Sequence, residues 1–245
     1  MTVDALFLLS GLAAFLVGFS KGGLPVVAML AVPILSFAMS PVTAAVLLLP
    51  IFVISDVAGV WLYRRAFSLP NLKIVIPAGI VGVGVGWATA SVVSDRAIML
   101  MIGLVGVGFC LNVWLRNHSA TQAQPPHAGK GWFWGVLTGF TSFISHSGAP
   151  PYQVYMLPQK LPKAVFAGTS TWVFAVINAA KIIPYQNLQP YSVDSLSSSA
   201  WLVPFALVGA VAGALFTRYV AERWFYRIVY VSLFGVSLKL VVDAL

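Results

Sequence analysis

Long apolar runs separated by brief polar punctuation organise this chain from end to end. Val42 to Tyr63, Leu72 to Val93 and Ala97 to Leu115 each hold close to the ~20 residues that a helix needs to cross a ~30 Å hydrocarbon core. Strand-like alternation of apolar and polar positions is absent, and lipid leaves a backbone no partner but its own helix. The pattern predicts an all-α integral membrane protein with hydrophobic segments at about 4–20, 22–39, 42–63, 72–93, 96–116, 131–145, 148–158, 163–184, 200–220 and 222–244. Segments 22–39 and 148–158 are weak as simple spans. Gly22-Gly23 and Pro25 open the first and Pro33 interrupts it, while Pro150-Pro151 open the second, which has only about half the ~20 residues of a full crossing.

The two halves repeat. Sliding the chain by 127 positions brings Pro77 onto Pro204, Gly82 onto Gly209, Gly86 onto Gly213, Asp95-Arg96 onto Glu222-Arg223 and Gly108 onto Gly235. With a slightly different offset Gly18-Phe19 meets Gly139-Phe140 and Pro41 meets Pro162. The expected organisation is a first membrane repeat at 1–116, a polar linker at 117–130 containing Gln-Pro-Pro-His, and a second repeat at 131–245. Five segments per half make the repeats inverted. That arrangement gathers Arg64, Arg65, Lys73, Arg116, Lys130, Lys160, Lys163, Arg218, Arg223 and Arg227 on one side. The positive-inside rule makes that side cytoplasmic and puts both termini outside. Re-entrant or fully crossing forms of the weak segments give the same parity, so the pattern leaves that choice open. Broken segments at matching places in inverted halves are expected to meet near the midplane and to mark the binding site of a transporter.

Composition reinforces the class. The 245 residues are 60% hydrophobic and 8% charged, against roughly a quarter charged in an ordinary soluble domain. The first apolar run begins after Asp4 without a basic leader, so no cleavable signal peptide is expected. A single cysteine, Cys110, excludes intramolecular disulfides and a cysteine-built metal site. The formal charge of +8 is spread over short loops, which argues for membrane topology and against nucleic acid as a partner. No nucleotide-cradling loop is present, and no cofactor or metal is expected. The partners expected are a small anionic substrate and the bilayer, with homo-oligomerisation left open.

Against this background GFSKGGLP, Gly18 to Pro25, places a lysine between two apolar runs. One reading makes Lys21 a cytoplasmic loop anchor. The other makes it part of an oxyanion site, in which N–H groups near Gly22, Gly23 and Gly148 approach the ligand and Ser20, Ser145, His146 and Ser147 donate to it. Burying an anion without such a charge would cost its hydration with nothing in return. Asp56 lies well inside a span, where a carboxylate is a functional hypothesis with a partner to find; Lys21 and Lys181 are the candidates, and a proton-carrying role is the alternative. Thr169, Ser170 and Thr171, with Asn178, form a polar stretch in the second half, and Gln153 and Tyr155 follow His146 on the broken segment. Hydroxyls in spans often bond back to their own helix. Asn112 and Lys239, equivalent under the shift, receive no functional role.

These residues carry a resemblance. Ser20-Lys21-Gly22-Gly23, Ser40-Pro41 and the run through Leu49-Pro50 to Asp56, Ser145-His146-Ser147-Gly148 with Pro151, Gln153, Tyr155 and Leu157-Pro158, and Val165 to Ser170 with Asn178 and Pro184 make the chain similar to the sulfite exporter TauE/SafE family, also called the toluene sulfonate uptake permeases. The resemblance implies a multi-pass transporter of the bacterial cytoplasmic membrane that moves sulfite, sulfonates or related organic anions, commonly outward. Lys21 stands where many members have only glycine, which implies an anion preference of its own. Outward movement agrees with a negative interior, since each negative charge leaving gains about 2.3 kcal/mol per 100 mV. The expected mechanism is alternating access around a midplane site: Lys21 neutralises the anion, Asp56 tunes Lys21, Ser20, His146, Ser147 and Gln153 orient the substrate, and Thr169 lines the path. An anion channel, a non-transporting receptor and, remotely, a hydrolase using Ser147 and His146 are the competing classes.

Overall fold

The computed structural model describes residues 3–39, 41–92, 94–115, 122–188, 190 and 193–245. Ser40, Arg116 and the first part of the expected linker lie outside the described residues. Among the described residues every regular element is helical: α1 (Val3–Phe19), α2 (Pro25–Ala28), α3 (Ala31–Ser36), α4 (Pro41–Leu62), α5 (Leu69–Thr89), α6 (Asp95–Leu115), α7 (Ala128–Ser145), α8 (Ala149–Met156), α9 (Lys163–Leu188), α10 (Val193–Tyr219) and α11 (Glu222–Ala244). Six of these, α4, α5, α6, α9, α10 and α11, contain stretches long and apolar enough to cross a membrane, and shorter apolar helices accompany them. Trp61, Val57, Ile183, Trp201, Val208 and Val231 lie exposed on them. Such a surface suits lipid better than water.

The weak segments break where proline predicts. Pro33 has no N–H for the carbonyl one turn back, and the helix is interrupted at Met29 and Leu30, separating α2 from α3. Pro25 opens α2 and Pro150-Pro151 sit in the first turn of α8, where the missing N–H groups cost nothing. Other boundaries shift from expectation. Helix α9 continues through Pro184 to Leu188, and α10 begins at Val193 ahead of the apolar run. Helix α7 starts at Ala128 within the expected linker, capped by His127, whose Nδ1 accepts from the Lys130 N–H. Hydropathy marks the apolar stretch, and a helix extends beyond it wherever its polar ends are capped or wet.

The chain folds as two compact units that interleave the sequence halves: Met1–Phe67 with Ala164–Val220, and Ser68–Lys163 with Ala221–Leu245. In the first unit α1 packs against α10 so closely that a Cβ on Gly18 would lie 1.9 Å from the Ala206 carbonyl oxygen, and one on Gly209 2.2 Å from that of Phe15. In the second unit α5 packs against α7 in the same way: a Cβ on Gly139 would lie 1.9 Å from the Gly79 carbonyl oxygen, and one on Gly82 2.1 Å from that of Val136. The offsets that relate Gly18 to Gly139 and Gly82 to Gly209 also carry Phe15 to Val136 and Gly79 to Ala206. One small-residue contact is thus built twice, with the order of its two helices along the chain exchanged.

Candidate functional site

The tip after α1 is a folded turn with its polar groups assigned. Ser20–Gly22 tighten into a single 3-10 turn, and Gly23 closes it at φ 85°, a left-handed conformation that glycine adopts without strain. The Gly23 and Leu24 N–H groups both donate to the Ser20 carbonyl, at 3.2 and 3.1 Å. Carbonyls of the tip are in turn held by hydroxyls from neighbouring helices: Thr171 on α9 donates to Lys21 O at 2.9 Å, and Thr217 on α10 to Gly22 O. A Cβ on Gly22 would strike the Gly213 carbonyl oxygen at 2.2 Å. This setting overturns the loop-anchor reading of Lys21, which is buried.

Its side chain lies across Gly59 of α4, where an added Cβ would come within 3.1 Å of Lys21 Cβ. Lys21 Nζ reaches Asp56 Oδ1 at 2.6 Å, an ion pair without hydrogen-bond alignment, and Asn178 Nδ2 donates to the other carboxylate oxygen at 2.7 Å. Lys181, one turn beyond Asn178, is fully buried. Both ammonium groups sit near the same ring: Lys21 Nζ is 5.2 Å and Lys181 Nζ 5.9 Å from the centroid of Phe52, within the range where an aromatic face attracts a cation. None of Lys21, Asp56, Asn178 and Lys181 is more than 4% exposed.

Helix periodicity explains the assembly. Phe52, Asp56 and Gly59 share one face of α4, and Thr171, Asn178 and Lys181 one face of α9. The tip of α1 fits between them in the first unit. Among the described residues the cluster brings together two basic side chains and one carboxylate in a setting with little water. Charges buried in this way are costly unless they are paired.

The other expected site residues divide between the units. In the first, Ser20 Oγ donates back to Val17 O at 2.6 Å and Thr169 Oγ1 to Val165 O at 2.6 Å. Thr169 precedes Thr171 by two residues, so it points about 200° away around α9 and off the cluster's face. Gly23 has its N–H in the turn, so in this conformation it does not offer the expected anion cradle.

In the second unit α7 ends at Ser145, and His146 adopts a left-handed conformation with φ 53°. Its N–H donates to Ser142 O and that of Ser147 to Thr141 O, both at 3.2 Å, the paired bonds of a helix-terminating motif. Ser145 Oγ donates to Thr141 O at 3.4 Å and Ser147 Oγ to Ser145 O at 3.1 Å. The Ser147 hydroxyl is thus engaged with a backbone carbonyl in this conformation. Gly148 precedes α8 as its N-cap. Gln153 on α8 is fully buried, and neither its Nε2 nor its Oε1 has a hydrogen-bond partner among the described residues. An orphaned amide pays a desolvation penalty that a ligand or water would relieve.

Phe52, Gly59 and Thr217 were not singled out from the sequence. Thr217 had a signal, since it extends the small-residue spacing Gly209, Gly213 by one more turn of α10. Phe52 had none among so many apolar neighbours. Among the described residues no three His, Cys, Asp or Glu side chains gather to hold a metal.

A family model described as "Sulfite exporter TauE/SafE" matches residues 10–240, nearly the whole chain. No curated protein and no solved structure matches it.

Proposed function

Because the chain belongs to the sulfite exporter TauE/SafE family, a family of multi-pass membrane transporters of sulfur anions, we propose that it exports sulfite or a related sulfur-containing organic anion. The substrate binds at the buried cluster of Lys21, Asp56, Asn178 and Lys181. The carrying observation is the burial there of two basic side chains near one aromatic ring, one of them paired with a carboxylate that a second helix orients. An oxyanion suits such a setting, because its charge needs a buried cation to replace lost water.

Asp56 sets the strength of this site. It neutralises one lysine in the empty state, so the lysines are held in place without repelling one another, and it weakens the grip enough for release. Asn178 orients the carboxylate through the oxygen that Lys21 does not take. Because the cluster is closed in this conformation, access requires a helix to move. Alternating access by inverted repeats supplies that motion, with the basic loops and the tip-bearing face turned to the cytoplasm of a bacterial cell and both termini outside. Ser20 serves the substrate only after its hydroxyl turns from its present bond to Val17 O. Within the second unit, the unsatisfied Gln153 amide is a polar station of its own.

The reading is tested with purified protein in liposomes loaded with labelled sulfite under an imposed potential of either sign. Flux that saturates and follows the potential supports it. Flux equal to that of empty liposomes for sulfite and for a panel of sulfonates overturns it.

A further inference from the structure

Away from the anion cluster, the second unit contains a cavity of about 770 Å³. It opens where α6 ends and where α7 and α11 begin, and the segment after α8 forms its remaining wall. Lys130, Lys160 and Arg223 line it against one carboxylate, Glu222. Lys160 takes a left-handed backbone at φ 48°, a conformation that a residue with a Cβ adopts only at a cost. Tyr155, 7% exposed, also lines it, and its hydroxyl has no hydrogen-bond partner among the described residues. Gln159 is fixed by a reciprocal amide pair with Asn71, donating at 3.1 Å and accepting at 2.8 Å.

We propose that this cavity binds a phosphate ester, with the headgroup of an anionic phospholipid as its natural source. Three cations and a buried phenol that has a proton to donate suit phosphate oxygens. Trp134, Val154 and Leu157 add an apolar wall, which fits the glycerol and the first acyl carbons better than a wholly polar ligand. Position agrees with chemistry: the ends of membrane-crossing helices lie at the depth of lipid headgroups, where basic pockets between helices hold them. The volume lies within the range of small-molecule sites. Bound there, the headgroup ties α7, α8 and α11 together. The site stands apart from the anion cluster, whose residues belong to the other unit.

The test uses the full chain in detergent, stripped of lipid and followed by native mass spectrometry. The probes are short-chain phosphatidylglycerol, phosphatidylcholine of the same chain length, and glycerol 3-phosphate. Phosphatidylglycerol is expected to bind about tenfold more tightly than phosphatidylcholine. The preference should vanish in Lys160→Ala/Arg223→Ala, weaken in Tyr155→Phe, which preserves packing, and persist in Arg64→Ala, a cation of the other unit. Glycerol 3-phosphate binding as tightly as phosphatidylglycerol supports the site and assigns it to a soluble phosphate ester. Equal binding of the two lipids with no binding of glycerol 3-phosphate, or a preference unchanged in both Tyr155→Phe and the double variant, overturns the proposal.

Discussion

Lys21 Nζ meets Asp56 Oδ1 at 2.6 Å with both side chains only 4% exposed. At that depth an ion pair is expensive to assemble and more expensive to break by halves, because the partner left behind is a charge without water.

Removing one member should therefore cost far more than removing both. Lys21→Met and Asp56→Asn are each expected to destabilise the protein by about 3–5 kcal/mol, and Lys21→Met/Asp56→Asn by clearly less than either single change. Thermal unfolding in detergent measures the cycle. Additive losses would show that the two side chains do not depend on one another.

The close helix contacts make a sharp distinction among glycines. Gly18→Ala drives a methyl against the backbone of α10, with 1.9 Å to the Ala206 carbonyl oxygen, whereas a Cβ at Gly84 or Gly108 meets nothing within 4 Å. Gly18→Ala should lower the unfolding midpoint strongly. Gly84→Ala and Gly108→Ala should leave it unchanged or raise it by up to about 1 kcal/mol of helix propensity. Equal effects at the three positions would contradict the contact between α1 and α10.

Gln153 should trade stability for function. Its buried amide has no partner among the described residues, so Gln153→Met, of similar length, is expected to raise stability by about 1–2 kcal/mol while slowing sulfite flux several-fold. A fall in stability together with normal flux would mark Gln153 as structural.

Much of this was legible in the residues themselves. Proline positions and the ~20-residue period fixed the helices, and an aspartate inside a span pointed to a lysine partner, because hydrocarbon offers a charge nothing else. Lys21 was readable both as a loop anchor and as a buried group, and only its packing between Gly59 and Thr171 decides between them. The direction of the hydroxyls was not legible. Ser20, Ser145 and Ser147 look like donors in a list of residue types, yet each bonds a nearby carbonyl, an option open to any short hydroxyl side chain. Nor do the sequence halves announce that the compact units interleave them, since that depends on which glycine faces meet.

The central claim is that the buried lysines of the first unit hold the anion, and Lys181→Met tests it most directly. That change removes one of them while leaving Lys21, Asp56 and Asn178 with their mutual contacts. Sulfite-dependent flux in liposomes, measured beside the thermal midpoint, is predicted to fall at least about tenfold, as expected for loss of a charged contact, with the protein still folded. Undiminished flux and unchanged half-saturation in a folded Lys181→Met protein would contradict the account.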